Sequence, residues 1–369
     1  MVTLPTAGTG SNFMVTIKEI ASEAGVAIST VSYVLNHPEG TAKASAETRQ
    51  RILAIARKHR YKPNAFGRGL RTGKSYTVGI LGQMGLYDSN VGNTLYGASE
   101  VLRNAGYNLV LTQSGRMWQV GSRVHLPENP DTPEEYLKKL SAVAERLLTR
   151  GVDGILLAEV INEVNAPFFR KLASRIAVVK MFSDSGIPEI PSVYVDPVAI
   201  GRLGADHLLK LGHRTIAVLG NRPQSCDEVC RVWAEQGPGA DRVIRVPESR
   251  TFEQGRETLQ MLQEKHPEVT GILAYNDTNA AGILYEAHLR RVSVPETLSV
   301  CGVNNLVWSD FLAPRLTTVS LPAIRQGEIA GEVLIARMQG KTAGRIIIPP
   351  ELICRDSTGP VCVNQGNCV

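Results

Sequence analysis

One ten-residue stretch, Ala27-Ile28-Ser29-Thr30-Val31-Ser32-Tyr33-Val34-Leu35-Asn36, gathers side chains suited to reading another molecule. On a helix, Val31, Val34 and Leu35 form an apolar stripe, which leaves Ile28, Ser29, Ser32, Tyr33 and Asn36 pointing elsewhere. Hydroxyls and an amide so placed can bond phosphate oxygens, while exposed side chains early in a helix reach base edges. The chemistry implied is recognition of duplex DNA.

Such a helix needs elements to hold it. Upstream, apolar residues at Ile17, Ile20, Ala21 and Ala24 share one helical face, Thr16 and Glu19 form a capping box, and Gly25 ends the helix. Two short helices with a glycine at the corner make a helix-turn-helix. After the loop 37–44, Ser45 caps a third helix running to about His59, with Ile52, Leu53, Ile55 and Ala56 as its apolar face. Tyr61-Lys62-Pro63 breaks it. Residues 64–70 then form a short segment capped by Asn64 and weakened by Gly67 and Gly69, a marginal helix that needs a partner to form. Residues 71–75 read as a linker.

Charge points the same way. Residues 1–75 hold eleven Lys or Arg against four Glu, a net +7, whereas the remaining 294 residues net −2. A localised basic patch attracts a phosphate backbone, because each neutralised phosphate releases counterions. Residues 1–13, rich in Gly, Thr and Pro, lack the basic and apolar regions of a signal peptide and read as a disordered extension. No apolar run approaches the ~20 residues of a membrane helix, so a cytoplasmic protein with no membrane partner is predicted. All six cysteines lie at Cys226 or later; Cys226 with Cys230, and Cys362 with Cys368, lack a zinc-ligand partner set, and all are read as free thiols.

From Tyr76 the texture changes. Short β-branched runs at 78–81, 108–111, 154–157 and 177–179 alternate with helical patterns at about 92–105, 134–150 and 165–174. A second series begins with a helix at about 198–211 and continues through strands at 215–219, 243–244, 271–274 and 299–303, with helices near 252–265 and 278–291. This is the pattern of parallel sheets covered by helices, in two halves that meet at a cleft; such folds bind ligands beyond the carboxyl ends of the strands. Enzyme motifs are missing: there is no Walker-type lysine loop, no His-Glu-x-x-His and no Gly-x-Ser-x-Gly, and the seven histidines are scattered. Neither an enzyme nor a cofactor or metal site is predicted.

The chain resembles the lactose-repressor (LacI/GalR) family of bacterial transcription regulators from Val15 to about Ser357. The resemblance is most specific over 16–21 and 29–36, joined to Thr48-Arg49 and to Pro63-Asn64-Ala65-Phe66-Gly67-Arg68-Gly69-Leu70. Gly204-Ala205-Asp206-His207-Leu208, Leu211-Gly212-His213, Asn276-Asp277 and Pro314-Arg315-Leu316-Thr317-Thr318-Val319 support it.

The resemblance implies an α/β protein whose N-terminal three-helix DNA-binding domain (14–62) and hinge helix with linker (63–75) precede a two-lobed, periplasmic-binding-protein-like domain (76–357) and a tail (358–369). Lobe 1 would comprise about 76–196 and 320–338, lobe 2 about 197–319 and 339–357. By the same resemblance, Ile28, Ser29 and Tyr33 match base-reading positions and Thr16, Thr30, Ser32 and Asn36 match phosphate-positioning ones. Asn64 caps the hinge helix, and Leu70 matches the leucine pushed into the minor groove.

In the cleft, Asn276, Asn304, Asp184, Arg231, Phe252 and Asn90 match effector-binding positions, Asn304 standing where an aspartate is frequent. Two further departures from the family are a short segment after Arg231 and an insertion at about 116–132. The implied function is a ligand-responsive repressor that binds a pseudo-palindromic operator as a homodimer, its effector a sugar or related metabolite. The competing reading is a periplasmic-type solute-binding protein without a DNA role.

Overall fold

A computed structural model describes residues 15–36, 44–61, 73–82, 89–112, 118–120, 123–125, 132–220, 222–247 and 249–361. The chain divides into two compact units, Met1–Ser75 and Tyr76–Val369.

The first unit is a three-helix head. Helix α1 (Ile17–Ala24) opens on the predicted capping box: Thr16 Oγ1 accepts from the Glu19 amide at 3.3 Å and Glu19 Oε2 accepts from the Thr16 amide at 2.6 Å. It closes on Gly25 at φ 64°, the left-handed region that only glycine enters without cost. Helix α2 (Ile28–Asn36) follows after two residues, and Ser45 caps α3 (Ala46–Lys58) by accepting from the Thr48 amide. Ile20, Val31, Val34 and Ile52 are fully buried where the helices meet, each contributing about 1.5–3 kcal/mol of burial. Glu23 bonds both Lys58 and His59, tying α1 to the end of α3.

The second unit is built on two six-stranded sheets among the described residues. The first lobe is formed by β1 (Thr77–Leu81), α4 (Ser89–Asn104), β2 (Asn108–Thr112), a small hairpin of β3 (Trp118–Val120) and β4 (Arg123–His125), α5 (Pro133–Thr149), β5 (Gly154–Leu157), α6 (Ala166–Ala173), β6 (Ala177–Met181) and β7 (Ser192–Val195). The insertion expected at about 116–132 thus carries the hairpin.

The second lobe holds α7 (Pro197–Lys210), β8 (Ile216–Leu219), α8 (Pro223–Gln236), β9 (Val243–Val246), α9 (Phe252–Lys265), β10 (Gly271–Leu273), α10 (Asp277–Leu289), β11 (Ser299–Asn304) and β12 (Thr317–Ser320). The chain then returns to the first lobe as α11 (Ala323–Met338) and β13 (Ile346–Ile348), and ends in the second with β14 (Glu351–Ile353).

Sheet order is β13-β7-β6-β5-β1-β2 in the first lobe, all parallel, and β14-β12-β11-β10-β8-β9 in the second, parallel except at β12–β14. The assignment of 339–357 to lobe 2 is therefore corrected: Ile346–Ile348 pairs with β7, because three consecutive isoleucines can complete the first sheet's edge before the chain crosses over. The crossings between lobes are short. They consist of Asp196, of Leu321 with Pro322, and of Pro349 with Pro350.

Each sheet is covered on both faces, as the continuous apolar runs of its strands require. In the first lobe α4 and α11 bury Ala98, Leu102, Ala330 and Leu334 on one side, while α5 and α6 bury Leu140, Leu147, Phe169 and Leu172 on the other. The α4–α11 crossing is backbone on backbone, since a Cβ at Gly327 would stand 1.8 Å from the Thr94 carbonyl oxygen and one at Gly97 2.0 Å from that of Ile324. In the second lobe α7 and α8 lie on one face around Trp233, and α9 and α10 on the other around Leu259, Leu262 and Ile283.

Candidate nucleic-acid interface and effector cleft

In the head, the burial of Val31 and Val34 orients α2. Ile28, 44% exposed, and Ser29 face solvent at its start, with Thr30, Ser32 and Tyr33 half-buried beside them. Thr16 caps α1 and is exposed. Asn36 is the last residue of α2, while Asn64 and Leu70 lie outside the described residues, as do 1–13 and most of the tail. The head therefore presents an apolar group and a hydroxyl at the first turn of its second helix, the end that meets base edges when such a helix enters a major groove.

In the larger unit, loops at the carboxyl ends of adjacent parallel strands place the second group of residues. Asn304 is the last residue of β11, 7% exposed, with φ at 114°. Its Oδ1 is buried and accepts no hydrogen bond among the described residues. A non-glycine residue in that backbone region costs about 1–3 kcal/mol, and an unmet buried acceptor about as much again. Both costs fall on one residue at a strand end, where a ligand donor would remove the second.

Asn276 follows the neighbouring strand β10 and caps α10, accepting from the Asn279 amide at 2.7 Å. Its oxygen serves the helix, and its Nδ2 remains a donor.

Asp277, the next residue, holds this region in place. It is fully buried and accepts from the Leu306 amide at 2.7 Å, Ser309 Oγ at 2.6 Å and Thr318 Oγ1 at 2.6 Å. Burial raises its pKa against the opposing pull of those bonds. The three bonds pin the turn after Asn304 to β12. Arg355 secures the same turn, donating to the Asn305 side-chain oxygen at 2.8 Å and to the Leu316 carbonyl at 2.7 Å. Sequence reasoning quoted Asp277 only as part of a motif, although an acid at the first helical position after a strand is a recognisable signal.

The other four predicted cleft residues have different company. Arg231 lies in α8 with its guanidinium on Glu228 at 2.8 and 2.9 Å and on Glu235 at 2.7 and 2.8 Å. Glu228 also receives Arg202 of α7 at 2.6 Å, so Arg231 belongs to an ion-pair ladder between two helices. The Phe252 ring packs on Tyr285 at 5.7 Å, and its carbonyl oxygen lies where a Cβ on Gly282 would stand 2.0 Å away. It seats α9 on α10. Asp184, exposed after β6, pairs with Arg345 at 2.7 Å, and Asn90 is half-buried in the first turn of α4. Of the six, only Asn276 and Asn304 stand at neighbouring strand ends.

The same edge holds residues that the sequence reading passed over. Tyr275, two residues beyond β10, lies against Gly220, where a Cβ would be 2.2 Å from the ring. Arg222 stacks over that ring at 4.3 Å and Arg250 approaches it at 5.7 Å. Among the described residues there is no cluster of metal-ligating side chains, and Cys226, Cys230, Cys301 and Cys354 are free. No helix among them is long and apolar enough to cross a membrane.

Comparison with known proteins accounts for both units. Residues 16–64 match the model of bacterial regulatory proteins of the lacI family, and residues 205–358 match a periplasmic binding protein-like domain. The chain is 28% identical over 356 residues to the HTH-type transcriptional regulator DegA of Bacillus subtilis (strain 168), covering 94% of this chain and 98% of that one. It is 28% identical to catabolite control protein A of Priestia megaterium, over 93% and 99% of the two chains. To the HTH-type transcriptional repressor PurR of Vibrio cholerae serotype O1 (strain M66-2) it is 26% identical, over 93% and 98%.

Its fold is shared with a lac repressor dimer bound to operator and the anti-inducer ONPF, at a TM-score of 0.77 and 21% identity, over 94% of this chain and 99% of the other. A LacI-family regulator from Silicibacter pomeroyi matches at a TM-score of 0.68 and 22% identity, over 94% and 99%. A capped head of the lacI-family type joined to a two-lobed unit of the periplasmic-binding-protein-like type is thus the architecture of this chain, matched along nearly its whole length by the regulators named above.

Proposed function

We propose that this protein is a ligand-responsive repressor of transcription that binds a pseudo-palindromic operator as a homodimer in the cytoplasm and catalyses no reaction. One observation carries the reading: a head that exposes Ile28 and Ser29 at the start of its second helix is joined in one chain to a two-lobed unit whose Asn304 offers a buried, unmet acceptor. A head alone would bind DNA without regulation, and a cleft alone would bind a solute without output.

On this reading, Ile28, Ser29 and Tyr33 face bases, and Ile28 reads by apolar contact, as to a thymine methyl. Thr16, Thr30, Ser32 and Asn36 bond phosphates and fix the docking angle. Residues 64–70 order on the operator, with Leu70 wedged at its centre. In the cleft Asn276 and Asn304 bond the effector. Asp184, Arg231, Phe252 and Asn90 keep a supporting place, through the ion pairs and ring contact that already engage three of them.

Effector binding changes the angle between the lobes and thereby DNA affinity, a coupling between two sites. A gel-shift titration with the DNA upstream of the protein's own gene tests this at fixed salt. Retardation at nanomolar to micromolar protein, changed by a small metabolite, is the expected result. Binding no tighter than to unrelated DNA would overturn it.

A further inference from the structure

The geometry points to an anionic effector, one carrying a phosphate or carboxylate group that Arg222 and Arg250 hold over Tyr275 beside Asn304. The inference rests on the effector-cleft reading above and specifies its ligand class.

Four strands end side by side in the order β11, β10, β8, β9, and each contributes one member. Asn304 ends β11, Tyr275 follows β10, Arg222 follows β8 and Arg250 follows β9. Gly220 lets the Tyr275 ring lie directly on backbone, which fixes the ring's place. Arg222 stacks on it at 4.3 Å, with Arg250 at 5.7 Å.

Stacking occupies the flat faces of a guanidinium and leaves its in-plane N–H donors free, the fork that fits an oxyanion in two parallel bonds. Among the described residues neither arginine is paired with a carboxylate, although most arginines around them are: Arg202, Arg231, Arg245 and Arg256 each hold one. Two like charges at one ring, without a counterion among the described residues, repel each other until an anion arrives.

Two further observations belong to the same edge. Arg222 is the N-cap residue of the fourteen-residue helix α8 and supplies no side-chain cap, so the positive end of that helix also faces this edge. Among the described residues the buried Oδ1 of Asn304 lacks a donor. A ligand that satisfies both features bears an oxyanion at one end and a hydroxyl or amine at the other. Phosphorylated and carboxylated polyhydroxy compounds have this form; uncharged sugars meet only the Asn304 half.

The test is isothermal titration of the full-length protein with matched pairs: glucose 6-phosphate and glucuronate against glucose, ribose 5-phosphate against ribose, and gluconate against glucitol. Expected is binding by at least one anionic compound and at least tenfold weaker binding by its uncharged partner. Arg222→Gln and Arg250→Gln should each weaken the anionic ligand by roughly 10- to 100-fold, the worth of a charge-assisted bond. Arg222→Lys should recover only part of this, and binding should fall as salt rises. Phosphate esters and carboxylates form separate arms, so the preferred group emerges from the same experiment.

An uncharged sugar binding as tightly as its anionic partner would overturn the proposal. So would an anionic ligand indifferent to both substitutions, or a panel without an anionic binder. Operator binding, measured on the same samples, separates these outcomes from failure of the regulator reading: retained DNA binding with a neutral ligand sinks only the anion, whereas loss of specific DNA binding in the wild-type protein sinks the broader reading.

Discussion

Replacing Lys180 with methionine probes a charge that the first lobe carries at its centre. Lys180 is 1% exposed on β6, and its ammonium donates to the Met181 carbonyl oxygen. Its neighbours Val179 and Met181 face the α4–α11 side, so by the alternation of a strand Lys180 shares the α5–α6 side with Val178. Burial pushes its pKa down to about 7, against the pull of Glu159 and Asp184 in the other direction. Glu159 is itself 6% exposed and bonds Tyr136, whose hydroxyl is raised by burial.

A lysine whose folded-state pKa lies below its unfolded value binds fewer protons folded than unfolded, so stability rises with pH across the window from about 7 to 10.5. The full shift corresponds to roughly 5 kcal/mol, of which about 3 kcal/mol is regained between about pH 7 and pH 9.5. Lys180→Met removes this slope. At neutral pH it also strips Glu159 of a neighbouring cation, which offsets part of the gain, so the slope is the diagnostic quantity. Urea denaturation of both proteins at several pH values in that range gives the difference in stability. The wild type should gain on the variant by about 3 kcal/mol as pH rises. Parallel pH profiles would refute the reasoning and show that Lys180 titrates as it does in the unfolded chain.

Other expectations concern single contacts. Asp277→Ala leaves the Leu306 amide and two hydroxyls without their acceptor and should cost about 3–5 kcal/mol, read as a lower urea midpoint, with effector binding lost through Asn304. Gly327→Ala drives a methyl into the Thr94 carbonyl and should separate α4 from α11, with a loss of at least about 1–3 kcal/mol in thermal denaturation. Ser29→Ala and Tyr33→Ala should each weaken operator binding by about 1–3 kcal/mol in a gel shift while leaving the salt dependence unchanged, because a base contact releases no counterion.

The head was legible because its signals are local. A capping box, a left-handed glycine and a stripe of Val31 and Val34 involve residues within a few positions of one another, and each is found where the spacing puts it. The first strand of each α/β repeat was legible as a β-branched run. Strands β7, β13 and β14 were not, since Ser192–Val195 follows β6 with no helix between them, outside the strand–helix alternation, and Ile346–Ile348 and Glu351–Ile353 become strands only by pairing with distant partners.

Helix α11 escaped notice because small residues such as Gly327 and Gly331 interrupt its apolar periodicity, and they do so to admit α4. At the cleft, Asn304 could be located by its place at a strand end. The arginines at Tyr275 could not, because four separate strands bring them together. Arg231 illustrates the converse: its residue type suits a ligand, but Glu228 and Glu235 lie three residues before and four after it, and helix geometry gives them its donors.

The three crossings between lobes set the kinematics of the larger unit. Each is one or two residues long, and prolines at 197, 322, 349 and 350 stiffen all three. Chains that short forbid the lobes to slide or separate, so rotation is the freedom left. The crossings run from β7 into α7, from β12 into α11 and from β13 to β14, so the strands they use lie at one edge of each sheet. Each sheet is thus a lever held at one edge, its far end at β2 or β9 about 24 Å away across five strand spacings. A turn of about 10° barely moves Asn304's neighbours on β12 but carries β2 through about 4 Å. Under the proposed mechanism, a tilt set by a small ligand's few bonds is read out as displacement at the edge farthest from the crossings.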